Sequence, residues 1–393
     1  MPHRITVLGA GYAGASAAGV LARHLHPDDF EITVVNAEPD FVERIRLHQL
    51  AAGRDLRRFG LAEMFAGTGI QLRVARVTAI DAGRRTVSAG DDQIGYDTLL
   101  YTLGSTIGEH GVPGVAEHAF DVAGRPAALR LRQRLADLPD GGSVLVVGGN
   151  LTGIEVATEI AECRPGLRVS LATSGELGGW LGPSGRRHLL GAFDRLGITV
   201  AQHTTVARVE PTGAVATDGT ALSADVTVWA AGFAVHPIAA ASGLAVESDG
   251  RITVDRMMRS VSHPDVYAAG DSAFVIGDNG QPLPMSCGSA GFTRMQATAA
   301  IIGDLTGQRI PKTSLAYLGN CISLGSRDAI FQTVDGAARS RSWALRGRPA
   351  SLVKNFVLRG ATWGISNPTY GLPARRRRLA KAPHRPVQPA VAD

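Results

Sequence analysis

Two apolar runs along this 393-residue chain, residues 5–8 and 144–147, each lead into a glycine turn and then a stretch of small side chains. Short, mostly apolar runs bounded by glycine predict strands buried on both faces, as in parallel sheets. Residues 4–8 therefore read as a strand, 9–14 as a turn, 15–25 as a helix and 31–36 as the next strand. The same order recurs from residue 143, with a strand at 143–147, a turn at 148–153, a helix to about 162 and a strand at 168–171. Elsewhere the pattern predicts a short helix at 41–50 and β segments at 71–80, 85–88, 98–101, 199–209, 227–231 and 266–269. Helices are expected at 126–138, 185–196 and 290–305. Beyond residue 310 short strands mix with a basic helix, and an Arg-, Pro- and Ala-rich tail from residue 373 has the composition of a disordered segment.

Composition narrows the classes. The length calls for more than one domain. No apolar run reaches the roughly 18 residues of a membrane span. A strand starts within the first few residues, so no signal peptide is read and a cytoplasmic location is the default. The three cysteines, Cys163, Cys287 and Cys321, form no Cys-x-x-Cys pair. No disulfide framework and no metal site is expected. The net charge is +5. The basic excess is concentrated in residues 336–392, which hold no acidic residue but include Arg339, Arg341, Arg346, Arg348, Lys354, Arg359, Arg375 to Arg378, Lys381 and Arg385.

The glycines carry candidate chemistry. In a strand–turn–helix unit the first glycine allows the tight turn, the second lets backbone approach a pyrophosphate, and the third lets helix and strand pack closely. The free N–H groups of the helix start then bind phosphate. Gly9, Gly11 and Gly14 fit this pattern, so the first turn is expected to hold a dinucleotide. Asn36 stands where the second strand of such units ends in a carboxylate. Its amide can bond a ribose hydroxyl, or it merely caps the strand; Glu38 is a substitute. The second turn has Gly148, Asn150 and Gly153, with Asn150 in place of the middle glycine. Its strand ends at Ala172-Thr173, again without a carboxylate, which removes the usual partner of an NADH ribose diol and a repulsion against the 2′-phosphate of NADPH. Arg186 and Arg187 could meet that phosphate or simply be solvated. Asn150 is expected to obstruct the second pyrophosphate rather than to donate to it.

On these residues the chain resembles the FAD-dependent pyridine nucleotide–disulfide oxidoreductase superfamily, in its type II NADH dehydrogenase-like branch. Two further motifs carry the resemblance: "DVTVWAAGFAVHP" (225–237), which closes a nucleotide domain, and "SHPDVYAAGDSA" (262–273), the late flavin motif. The resemblance implies an α/β fold of two Rossmann-like domains, one inserted in the other. An FAD domain would comprise residues 1–110 and 236–310, an NAD(P)H domain 111–235, and a small C-terminal region 311–372 before the tail at 373–393. It implies FAD and NAD(P)H as cofactors, hydride passing to the flavin, and electrons leaving to a quinone-like or other small acceptor. Asp271 would hold the ribityl chain of FAD, Gly270 and Gly104 would permit close approach, and the helix start at Ser289 would favour negative charge on the reduced flavin. Glu155 matches a glutamate that the family places near the nicotinamide. Arg46 or His48 could face the flavin ring.

Departures shape the rest. The cysteine pair of the disulfide reductases is missing, so dithiol chemistry is not expected. Gly288 and Phe292 occupy positions where type II dehydrogenases carry glutamines of the quinone pocket, so the resemblance alone does not fix the acceptor. The alternative is a flavin oxidoreductase of specialised metabolism acting on a small organic substrate. A nucleic-acid partner is not expected, since no aromatic-interleaved reading surface accompanies the arginines. Residues 349–363 could form an interfacial helix that, with the basic segment, meets an anionic membrane surface as a peripheral protein, or could pack its apolar side on the protein.

Overall fold

The computed structural model describes residues 1–337, 339–371 and 374–380. Its first sheet begins with β1 (His3–Leu8), β2 (Phe30–Asn36), β3 (Ile70–Val74) and β4 (Thr98–Tyr101). The chain leaves through β5 (Ser105–Ile107) and builds a second sheet on β6 (Ser143–Val147), β7 (Arg168–Ala172) and β8 (Val226–Trp229). It returns through β9 (Phe233–Val235), which pairs antiparallel with β5, and completes the first sheet with β10 (Val266–Ala268). The first sheet has the order β10-β4-β1-β2-β3, and every pair is parallel. The second runs β8-β6-β7 between the short edge strands Ala119–Phe120 and Thr199–Ala201, again all parallel. In both sheets the strand order reverses beside the strand that carries the glycine turn, which is where open α/β sheets bind ligands. A two-stranded link, β5–β9, is thus where the chain crosses between the units.

Helix α1 (Gly14–His24) follows the first turn; α2 (Leu47–Ala52) lies further on in the same unit; α3 (Leu151–Cys163) follows the second turn, and α4 (Pro183–Arg195) flanks the second sheet. Helix α5 (Cys287–Thr306) returns against α1, and β11 (Gly319–Ser323), β12 (Ala329–Thr333) and α6 (Gly347–Ser366) form the C-terminal region. The expected strand at 199–209 is two strands in different sheets, Thr199–Ala201 and Val206–Glu210. The expected helix at 41–50 begins instead with a strand pair at Asp40–Phe41 and a 3₁₀ turn at Arg44–Arg46, and only α2 is α-helical.

The two turns are built alike. A Cβ on Gly14 would lie 1.8 Å from the carbonyl oxygen of Gly9, and one on Gly153 would lie 1.8 Å from that of Gly148. Both contacts are closer than any real side chain tolerates, so helix and strand meet backbone to backbone. Gly9 and Gly148 have φ of +91° and +123°, in the region that favours glycine, and Cβ atoms there would strike the carbonyls of Thr102 and Ala230.

Each turn is fastened by an asparagine. Asn36 Oδ1 accepts from the N–H of Ala10 at 2.8 Å, and its Nδ2 donates to Glu38 O at 2.7 Å. Asn150 Oδ1 accepts from the N–H of Gly153 at 3.0 Å, capping α3, while Nδ2 donates to Ala230 O at 2.7 Å. The side chain is folded back onto β8, so the obstruction expected of Asn150 does not arise from this geometry. The substitution of the middle glycine gives the second turn a helix cap that the first lacks.

The basic tail also departs from expectation. Residues 374–380 dock on the first unit: Arg377 bridges Leu25 in parallel, Arg378 pairs with Asp28 and Asp29 at 3.1 and 3.0 Å, and the N–H of Ala380 donates to Leu305 O. The remainder of the tail, with Lys381 and Arg385, lies outside the described residues.

Asn150→Ala should remove both the cap and the tie to β8. A loss of about 1–2 kcal/mol is expected, read as a lower denaturation midpoint for the second unit. An unchanged midpoint would contradict the role assigned to Asn150.

Candidate functional site

At the first turn, no atom lies within 4 Å of where a Gly11 Cβ would stand, so this face is open to a ligand. Strand β10 delivers Gly270 (φ +76°) and Asp271 beside it; a Cβ on Gly270 would come within 3.4 Å of Ala13. Asp271 Oδ2 accepts from Ser105 Oγ at 2.7 Å. The Gly104 N–H donates to Ser272 Oγ at 2.9 Å, locking the end of β4 against the same loop. Gly9, Gly11, Gly14, Gly104, Gly270 and Asp271 are therefore brought together. Asn36 lies at their edge with its amide committed to backbone.

The sequence reading missed Arg44. Its guanidinium donates to Ser105 O at 2.7 Å and Ser105 Oγ at 3.3 Å and sits 5.7 Å from the centroid of the Phe233 ring. It touches both strands of the β5–β9 link. Burial lowers its pKa, against the pull of Asp271 and Asp121. Arg46, named with His48 as a residue that could face the flavin, turns to Glu43 and Gln49.

The second turn has a different rim. Thr173 is buried, and its hydroxyl would lie 2.4 Å from a Cβ on Gly149, so it packs on the turn. Arg186 pairs with Glu176 at 2.8 Å and donates to Leu177 O, while Arg187 is exposed. Gly148, Gly153, Asn150 and Thr173 thus form one group at the end of β6 and β7.

Between the units lies a buried polar junction. Glu155, in the second turn of α3, accepts from Lys354 of α6 through Oε1, which also takes the Ser323 N–H at 2.9 Å. Lys354 Nζ donates in addition to Cys321 O at 3.1 Å. His48 Nδ1 stands 3.9 Å from Glu155 Oε2. Burial alone would raise the Glu155 carboxyl, but Lys354, His48 and the two hydrogen bonds outweigh it and hold it below its ordinary range. Burial lowers the pKa of His48 more than Glu155 raises it, which keeps the imidazole neutral at pH 7. Tyr12 Oη, Glu43 Oε2 and His48 Nε2 are buried without a hydrogen-bond partner. Unpartnered buried groups of this kind are costly unless a ligand or water meets them. An open cradle at Gly11, next in sequence to Tyr12 with its unpartnered hydroxyl, fits a bound dinucleotide. Ser289 N–H is taken by the Ser286 cap at 3.0 Å, so that donor at the start of α5 is committed to its own side chain.

The three cysteines are free thiols. Burial pushes Cys163 and Cys321 up, Cys321 to about 11. They are held as thiols rather than as the thiolates that exchange requires. Among the described residues no cluster of metal-ligating side chains occurs, and no helix is long and apolar enough to cross a membrane.

Known proteins match this chain in sequence and fold. The family model described as pyridine nucleotide-disulphide oxidoreductase matches residues 3–300. An NADH dehydrogenase-like protein of Mycobacterium tuberculosis is 30% identical over 380 residues, covering 90% of this chain and 92% of the relative. A type II NADH:quinone oxidoreductase of Staphylococcus haemolyticus is 25% identical over 385 residues, covering 90% and 94%. The sulfide:quinone oxidoreductase of Aquifex aeolicus shares the fold with a TM-score of 0.79 at 20% identity, covering 97% of this chain and 98% of that one. The chain belongs to the pyridine nucleotide-disulphide oxidoreductase family, as an FAD-dependent oxidoreductase that uses NAD(P)H.

Proposed function

We propose that the first turn holds FAD, the second holds NAD(P)H, and electrons leave to a quinone-like acceptor at the junction beneath α6. The observation that carries this reading is the pair of fastened glycine turns whose units meet at one buried junction. Bound FAD would supply the hydride acceptor and the electron store. The protein supplies position and charge. Gly9, Gly11 and Gly14 admit the pyrophosphate, the start of α1 offers N–H donors, and Asp271 accepts from ribityl hydroxyls while Ser105 orients it. At the second turn Asn150 takes the Gly153 N–H and leaves the N–H groups of Leu151 and Thr152 for phosphate. Glu155 Oε1 is occupied, and Oε2, with no hydrogen bond among the described residues, accepts from the nicotinamide carboxamide. Lys354 keeps that carboxylate ionised. With no acidic residue at the end of β7, both NADH and NADPH are accommodated.

Helix α6 supports a peripheral membrane location. Ala350, Ser351, Lys354 and Ile365 face inward, so its polar lysine is buried. Leu352, Phe356, Val357 and Trp363 are exposed by 70%, 78%, 52% and 57%, and Arg359 lies among them. An aromatic and aliphatic face with arginines suits the boundary of an anionic bilayer, and brings the junction to a lipid-soluble acceptor.

Asp271→Ala should raise the Kd for FAD about tenfold, as loss of a charged acceptor worth about 1.5 kcal/mol implies, read by FAD titration of the apoprotein; an unchanged Kd would sink the assignment. Glu155→Gln should raise the KM for NADH and NADPH about tenfold while FAD content stays at the wild-type level. A fall in FAD content with KM unchanged would instead place Glu155 in the flavin site.

A further inference from the structure

A cleft of about 300 Å³ lies between the ends of α3 and α4, the β11–β12 turn and the first turn of α6. Leu196 and Leu324 form part of its wall, and its charged residues are Glu162, Arg195, Arg327, Asp328 and Arg348. Both carboxylates are already satisfied. Glu162 accepts from Arg54 at 3.0 Å and from the N–H of Ser326 at 2.8 Å, and also takes the Ser326 hydroxyl. Asp328 accepts from His188 at 2.6 Å and from Arg195 at 2.5 Å. The guanidiniums of Arg327 and Arg348 make no hydrogen bond or ion pair among the described residues. The cleft therefore presents two uncommitted guanidiniums beside neutralised carboxylates, the geometry that binds phosphate oxygens.

Its position adds the second half. Arg348, Leu352 and Phe356 follow one another at a spacing of four along α6, so they share a ridge. Leu352 and Phe356 are the most exposed apolar side chains of that helix. An arginine-lined cleft thus heads an exposed apolar ridge, and the segment from residue 336 to 392 has no acidic residue to repel an anion.

We propose that this cleft is a binding site for the phosphate of an anionic phospholipid, whose acyl chains lie along the Leu352–Phe356 ridge. The proposal rests on the peripheral membrane reading given above and gives that contact a defined headgroup site. One lipid per chain is held, with Arg327 and Arg348 as the phosphate donors and Arg195 kept in place by Asp328. Neither arginine belongs to the nucleotide sites, so their loss leaves flavin reduction intact.

The test uses the full chain loaded with FAD. Dihexanoyl phosphatidylglycerol, kept below its micelle concentration, is titrated by calorimetry, with glycerol 1-phosphate and dihexanoyl phosphatidylcholine as comparison arms. Saturable binding of one phosphatidylglycerol per chain is expected, weaker on the order of thirtyfold in Arg327→Gln/Arg348→Gln at about 1 kcal/mol per arginine. Glycerol 1-phosphate should bind much more weakly, since it lacks the chains. Equal binding by the double variant overturns the proposal. Glycerol 1-phosphate binding as tightly as the lipid overturns it in favour of a soluble phosphate ester. Sedimentation with phosphatidylglycerol vesicles separates the two levels of failure. If wild type ignores the vesicles, the membrane reading falls and the proposal with it; if wild type and double variant sediment alike, only the headgroup cleft falls. Flavin reduction by NADH or NADPH in the variant, equal to wild type, shows that the fold and nucleotide sites are preserved.

Discussion

Backbone meeting backbone at the glycine turns is the constraint on which the molecule rests. Gly14 against Gly9 and Gly153 against Gly148 leave no room for a side chain, and only that closeness lets a helix start directly over the end of a parallel strand. The helix start then carries unsatisfied N–H groups at the point where the strand order reverses. An anion is the natural partner there. Because the chain makes this unit twice and links the copies through β5 and β9, two dinucleotide sites share one link, and Arg44 touches both of its strands.

The junction depends on the same arrangement. Glu155 reaches it because the second turn sets the start of α3, and Lys354 reaches it from the inward side of α6, which it shares with Ala350, Ser351 and Ile365. Removing one partner of such a buried pair leaves the other uncompensated, which is far costlier than the pair itself is favourable. The ion pair ties α6 to α3 across the junction. With Ala350, Lys354 and Ile365 inward, Leu352, Phe356 and Trp363 lie on the outside. The exposed apolar face is thus the reverse side of a specific polar contact.

What was legible in the sequence followed from local pattern. The glycine spacing and apolar runs marked both turns, both sheets and the loop with Asp271, because these signals lie within a few residues of one another. The partners of the asparagines were not legible. Asn36 binds Ala10 across 26 residues and Asn150 binds Ala230 across 80, so their roles depend on which strands become neighbours. Lys354 and Glu155 lie 199 residues apart. Arg44 was passed over for Arg46 and His48, since a short apolar segment gives no sign that a 3₁₀ turn will aim the earlier arginine at β5. Composition also misjudged residues 374–380: Arg-rich sequence lacks a core, yet Asp28, Asp29 and the open edge beside Leu25 give it partners.

The central claim is that the two turns hold two nucleotides that exchange a hydride across the junction and pass electrons onward. Anaerobic double mixing tests it most directly. FAD-loaded protein is mixed with NADH or NADPH, the flavin absorbance is followed, and a soluble quinone is then added. The account predicts bleaching by both nucleotides, followed by recovery of the oxidised spectrum on addition of quinone. A flavin that neither nucleotide bleaches would contradict it.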